Sequence, residues 1–146
     1  MKKLIIFGLS NIAECAYEYF THDSNYEVCA FSVDANYIDD TKKELFGLPI
    51  VALEDIVNLY PPQQHDIFVA VGSQKLNRLR TEKAKEVQNL GYGLASYISS
   101  RTFIWPNVEI GEHAFIQEDN TIQPFVKIGS NVVLWAGNHI GHASVI

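Results

Sequence analysis

From residue 110 to residue 146 an aliphatic side chain recurs every six positions: Ile110, Ile116, Ile122, Ile128, Leu134, Ile140 and Ile146. Alternation by two makes a strand and a period of 3.6 makes a helix, so this spacing fits neither. It fits a flat triangular coil in which each six-residue side turns one aliphatic group toward the axis. Three sides, eighteen residues, close a turn of parallel β-helix, so residues eighteen apart should stack. Ile110 is expected above Ile128 and Ile146, Ile116 above Leu134, and Ile122 above Ile140. The fourth position after each aliphatic is small or medium: Ala114, Asn120, Val126, Val132, Asn138 and Ser144. Asn120 and Asn138 are also eighteen apart, and stacked asparagines can bond to each other and to neighbouring backbone. Gly111, Gly129 and Gly141 directly follow three of the isoleucines.

The stretch supplies about two coils. A solenoid needs roughly three units to bury its core. The repeat is therefore expected to continue past Ile146 or to be covered by oligomer contacts.

The first two thirds of the chain alternate strand and helix. Residues 3–7 are a short apolar run that suits a strand buried on both faces. A glycine turn at Gly8 leads into a helical pattern, with Ile12, Ala13, Ala16, Tyr17 and Phe20 on one face and Ser10 or Asn11 as cap. Further strands are expected at 26–33, 66–71 and 94–98, an extended piece at 48–51, a short helix at 53–60 and a longer one at 74–90. Arg78 and Arg80 are expected on the solvated side of that last helix. Such alternation implies a parallel sheet flanked by helices, with its ligand crevice at the carboxyl ends of the strands. Three segments converge there: Gly8 to Asn11, Asp34, and Gly72 to Lys75 with Ser73 between. A glycine before a helix N-terminus suits an anion. The full GxGxxG pattern is missing, because Ser10 and Ala13 hold its later places, so a dinucleotide cofactor is not expected.

The formal net charge of -6 argues against non-specific nucleic-acid binding, which needs a basic face. No apolar stretch approaches the length of a membrane span, and Gly8, Ser10, Asn11 and Glu14 interrupt the N-terminal run too early for a signal peptide. The cytoplasm is the expected location, with Cys15 and Cys29 as buried reduced thiols.

A strand-Gly-x-Ser α/β domain followed by Ile-Gly-x-x hexads resembles the bacterial nucleotide-amino-sugar N-acetyltransferases and their sialic acid O-acetyltransferase relatives. The resemblance implies a Rossmann-like domain over residues 1–100 and a left-handed β-helix over 101–146. It implies acetyl transfer from acetyl-CoA to an amine or hydroxyl of a nucleotide-linked sugar, in a homotrimer, without a metal. By it, Gly8, Ser10 and Asn11 would face a diphosphate, Asp34 a base or ribose, and Gly72, Ser73 and Lys75 the sugar-nucleotide pocket. The segment 135–144 resembles the catalytic stretch of that family, with His142 as general base and His139 second. The residue after the histidine, often acidic in the N-acetyltransferases, is Ala143 here, which leaves Asn138 or a backbone carbonyl to orient the ring. Two rival readings stand beside this one: a zinc site drawing on His113, His139 and His142, and a module that binds a nucleotide sugar without catalysis.

Overall fold

The computed structural model describes residues 1–72 and 74–146, and only the backbone of 74–76. The chain divides into two compact units, Met1–Leu94 and Ala95–Ile146.

The first unit contains β1 (Lys2–Phe7), α1 (Asn11–His22), β2 (Tyr26–Val33), β3 (Glu44–Leu45), β4 (Leu48–Ala52), α2 (Ile56–Leu59), β5 (His65–Val69), α3 (Gln74–Asn89) and β6 (Gly93–Leu94). The six strands form one sheet in the order β3-β4-β2-β1-β5-β6. All pairings are parallel except the β3–β4 hairpin, which adds an antiparallel edge. That hairpin lies outside the sequence expectation, because its strand is two residues long and carries no periodicity.

β1 is the central strand, and Leu4, Ile5 and Ile6 have no exposed surface. Each such side chain contributes about 1.5–3 kcal/mol by leaving water. On one face Phe20 of α1 packs on Phe68, with ring centroids 5.1 Å apart, and Tyr17 stacks over Phe31. On the other, Ile5, Phe7, Ile67 and Val69 meet Leu53 and Ile56 and the α3 residues Ala84 and Val87. Two expectations fail in this unit. Arg80 is buried, 1% exposed, beneath α3 rather than solvated. Its Nε donates to Val69 O at 3.3 Å and its guanidinium sits 5.4 Å from the Phe68 ring centroid, so a cation fills an otherwise apolar place. Burial lowers its pKa to about 10, which leaves it charged at neutral pH. Cys15 is exposed, since it falls on the outer side of α1, while Cys29 is half-buried and donates to Leu4 O at 3.4 Å.

The second unit is built of two-residue strands: β7 (Tyr97–Ile98), β8 (Phe103–Ile104), β9 (Glu109–Ile110), β10 (Phe115–Ile116), β11 (Thr121–Ile122), β12 (Lys127–Ile128), β13 (Val133–Leu134) and β14 (His139–Ile140). They form three parallel ladders, β13-β10-β7, β14-β11-β8 and β12-β9. The register pairs Ile116 with Leu134, Ile122 with Ile140 and Ile110 with Ile128, as an eighteen-residue coil demands. Ile146 continues the last ladder by accepting a bond from Gly129 N at 2.8 Å. Ala114, Ile116, Ile122, Val126, Ile128 and Leu134 form the axial core.

The expected strand over 94–98 is split. Leu94 closes the sheet, whereas Tyr97 and Ile98 pair with Phe115 and Ile116 and open the β-helix. Ile98 and Ile104 thus begin the six-residue period, and the unit winds through close to three coils instead of about two. The corners repeat as well. His113, Asp119, Phe125, Asn131, Gly137 and Ala143, each three residues after an inward aliphatic, all have φ between 58° and 82°. The buried Asn120 is fully used. Its Nδ2 donates to Gln117 O at 2.8 Å and Trp135 O at 3.0 Å, and its Oδ1 accepts Asn138 N at 3.0 Å.

Candidate functional site

β1 is the place where chain addition reverses: β2 and β4 lie on one side of it, β5 and β6 on the other. Loops leaving neighbouring strands in opposite directions open a crevice at their carboxyl ends. Here that crevice is a cavity of about 460 Å³ lined among others by Gly8, Ser10, Asp34, Tyr37, Gly72 and Lys83. Gly8 has a φ of 126°, and a Cβ there would lie 2.6 Å from Ala70 O. Only glycine lets the chain leave β1 so close to the backbone after β5. Ser10 is the N-cap of α1, yet its hydroxyl makes no capping bond and is exposed beside the first-turn amides. Those amides lack intrahelical acceptors, which gives the crevice one wall suited to an anion.

Asp34, at the end of β2, is half-buried and ion-paired. Lys83 Nζ lies 3.0 Å from its Oδ1 and 3.2 Å from its Oδ2, and donates also to Glu86 Oε2 at 2.7 Å. The ammonium stands 5.0 Å from the Phe7 ring centroid. Burial alone would lower the pKa of Lys83, but the bonds to Glu86 and Asp34 outweigh it and raise the pKa above its ordinary value. Next to Asp34, Glu54 accepts Ala35 N through both oxygens, at 3.1 and 3.3 Å, and so fixes the turn that follows β2.

Of the residues expected at this site, Gly8, Ser10, Asp34 and Gly72 line one cavity. Asn11 does not. It begins α1 and is exposed. Ser73 and the side chain of Lys75 lie outside the described residues. Lys83 was missed, although a signal existed: it stands three residues after Arg80 and four before Val87, on the stripe that α3 turns to the sheet.

In the second unit, Asn138, His139 and His142 fall within one side and the corner after it. His139 lies on β14 opposite Thr121, with its ring exposed. His142 is exposed at the corner, where its N–H donates to Gln123 Oε1 at 3.1 Å. Asn138 Nδ2 is spent on Trp135 O at 2.6 Å, so it is engaged in the coil ladder rather than with the His142 ring. His113 is fully buried, and its Nδ1 lies 2.7 Å from Asn131 Oδ1. Among the described residues no group of three His, Cys, Asp or Glu is placed to hold a metal ion.

Residues 107–142 match the family described as bacterial transferase hexapeptide, six repeats. Over these residues the chain is similar to that repeat family. The hexapeptide repeat and the unit before it both have counterparts in solved structures. The acetyltransferase domain of PglB from Neisseria gonorrhoeae superposes with a TM-score of 0.77 at 22% identity, over 99% of this chain and 67% of that one. The same domain is also known in complex with acetyl coenzyme A. PerB from Caulobacter crescentus, in complex with CoA and GDP-perosamine, superposes with a TM-score of 0.80 at 22% identity, over 97% of this chain and 64% of that one. WeeI from Acinetobacter baumannii gives 0.58 at 20% identity, over the whole of this chain and 64% of that one. At these identities the likeness shows a shared fold. The chain spans about two thirds of the length of these structures. None of the curated proteins matches it.

Proposed function

We propose that this chain belongs to an acetyl-CoA-dependent acyltransferase that acts on an amine or hydroxyl of a nucleotide-linked sugar. The observation that carries the reading is the fold match along 99% of the chain to an acetyltransferase domain, which spans the α/β unit as well as the hexapeptide repeat. Supporting it, PerB is known with CoA and GDP-perosamine bound. The crevice at Gly8, Ser10, Asp34 and Gly72 has the glycine turn and helix N-terminus that suit a nucleoside diphosphate. Ser73 and Lys75 follow Gly72 in the sequence and belong to the same proposed pocket.

In this reading acetyl-CoA supplies an activated acyl carbonyl. His142 takes the proton from the attacking nitrogen or oxygen as the new bond to that carbonyl forms, and the thiol of CoA leaves. Its imidazole is exposed, open to an acceptor's proton, and general-base help is worth on the order of 10²–10⁴-fold. His139, three residues earlier with its ring exposed, is the second candidate base, and Asn138 holds the coil from which both project. The proposed assembly is a homotrimer and the proposed compartment the cytoplasm. No helix among the described residues is long and apolar enough to cross a membrane.

The test is a coupled thiol-release assay with acetyl-CoA and UDP-, GDP- or dTDP-linked amino sugars, run beside calorimetry of the same nucleotides. Turnover that falls by about 10²-fold or more in His142→Ala is expected; an unchanged rate removes His142 from the mechanism. A second reading, which the crevice alone would support, is that this chain binds the nucleotide sugar without catalysis. Binding without turnover would select that one.

A further inference from the structure

His142 is placed by its backbone. It is exposed, and among the described residues none bonds to its ring. The imidazole therefore goes where the main chain of this corner sends its Cβ. Two bonds set that direction. His142 N–H donates to Gln123 Oε1 at 3.1 Å, and Ala143 N–H donates to Pro124 O at 3.0 Å. The peptide planes on both sides of the His142 Cα are thus tied to consecutive residues of the preceding coil, and two fixed planes leave the Cα–Cβ bond one direction. Gln123 is itself held. Its N–H donates to Ile140 O at 3.1 Å, and Pro124 after it restricts it to extended backbone. A similar clasp stands one side earlier, where Gln117 Oε1 accepts Ala136 N–H at 3.2 Å. Gln117 is 7% exposed and packed into the coil, whereas Gln123 is exposed. Water would satisfy the His142 N–H in its place, so the Gln123 bond adds little to stability. What the side chain supplies there and water does not is a fixed position.

We infer that Gln123 is a positioning residue for the acyl transfer: its side-chain carbonyl fixes the corner that aims the His142 imidazole. The inference rests on the reading of His142 as general base and deepens it. A base takes its proton over a heavy-atom span of about 2.6–3.2 Å, so a base whose Cα wanders by about 1 Å spends much of its time out of reach. Ala143 brings no carboxylate to the ring, which leaves the main chain to orient it. Glutamine suits the task because its oxygen accepts the N–H without placing a charge beside the imidazole.

The experiment is the thiol-release assay on the full 146-residue chain and its Gln123→Leu, Gln123→Glu and His142→Ala variants, with acetyl-CoA and the UDP-, GDP- and dTDP-linked amino sugars. Leucine keeps the bulk and removes the acceptor. In Gln123→Leu kcat is expected to fall about tenfold, with KM for the amino sugar within about twofold of wild type and the urea midpoint in place. Gln123→Glu keeps an acceptor oxygen and is expected to hold kcat within about threefold of wild type. An unchanged kcat in Gln123→Leu overturns the inference, and so does a loss of kcat matched by a lowered urea midpoint, which would make the role structural. Amide hydrogen exchange reads the bond without turnover. The His142 N–H is expected to exchange about tenfold slower in the wild type and in Gln123→Glu than in Gln123→Leu, and equal exchange in all three overturns this inference alone. An unchanged rate in His142→Ala overturns the general-base reading, and a wild type that turns over none of these sugars overturns the acyl-transfer reading; either takes this inference with it.

Discussion

Gly111 and Gly141 both follow an inward isoleucine, yet replacing each by alanine should have opposite outcomes. A Cβ on Gly111 would meet Gly129 C at 2.6 Å, Ser130 N at 2.7 Å and Gly129 O at 2.8 Å. These are backbone atoms of the next coil, held by a ladder bond from Gly111 N to Ile128 O at 2.7 Å. Ordinary contact begins near 3.4 Å, so the coils would have to part by about 0.8 Å at that point. Opening the ladder forfeits a hydrogen bond of about 1 kcal/mol, and overpacking adds about 1–3 kcal/mol, for a loss of about 3 kcal/mol. At Gly141 the nearest atom to a new Cβ is Ser144 Oγ at 3.9 Å, so nothing need move. Gly141→Ala in this 146-residue chain should stay within about 0.5 kcal/mol of wild type. Urea titration followed by circular dichroism reads both. Gly111→Ala should lower the midpoint by about 1 M or more at an ordinary denaturant slope, and Gly141→Ala should leave it in place. Equal midpoints for the two variants would show that the coils yield freely, and the close-approach argument would be wrong.

Two further outcomes follow from the packing. Asn120→Ala removes the acceptor of Asn138 N and one of two donors to each of Gln117 O and Trp135 O, and should cost about 1–3 kcal/mol in the same titration. Burial raises the Tyr92 hydroxyl to a pKa of about 12, where it donates to Tyr60 O. The unfolded chain loses this proton near pH 10 while the folded one keeps it, so stability should fall as pH rises from 10 toward 12. Tyr92→Phe should flatten that alkaline slope in denaturation curves collected across the window, and an unchanged slope would assign it to other groups.

The β-helix was legible because its period is carried by side chains alone. Seven aliphatics six residues apart allow few other geometries, and the observed pairs Ile116–Leu134 and Ile122–Ile140 follow from counting. The first coil was not legible from the same rule. Ile98 and Ile104 keep the period, but Tyr97 and Ile98 also continue a plausible strand from Leu94, and local sequence does not say which sheet a two-residue strand joins. The crevice was legible at Gly8, Ser10, Asp34 and Gly72, since each lies where a strand gives way to a turn. Lys83 and Arg80 were harder. Charged side chains on an amphipathic helix ordinarily face water, and their burial here depends on partners from other strands: Asp34 after β2, and Phe68 and Val69 on β5. Asn11 shows the reverse error, for nearness in sequence to Gly8 and Ser10 did not bring it to the cavity wall.

The left-handed corners have a bearing on how such a chain can change length. Six successive corners place that backbone conformation three residues after the axial side chain, and only one of the six residues is glycine. The bend is thus fixed by phase within the hexad rather than by a special residue. Loss of a single residue would throw every later side chain off the axis. Loss of one hexad would restore the axis but rotate all that follows by a third of a turn, carrying His142 to another flank. Removing a full set of three hexads leaves every flank where it was, so eighteen residues is the smallest step by which this rod can shorten or grow without turning later residues to another flank.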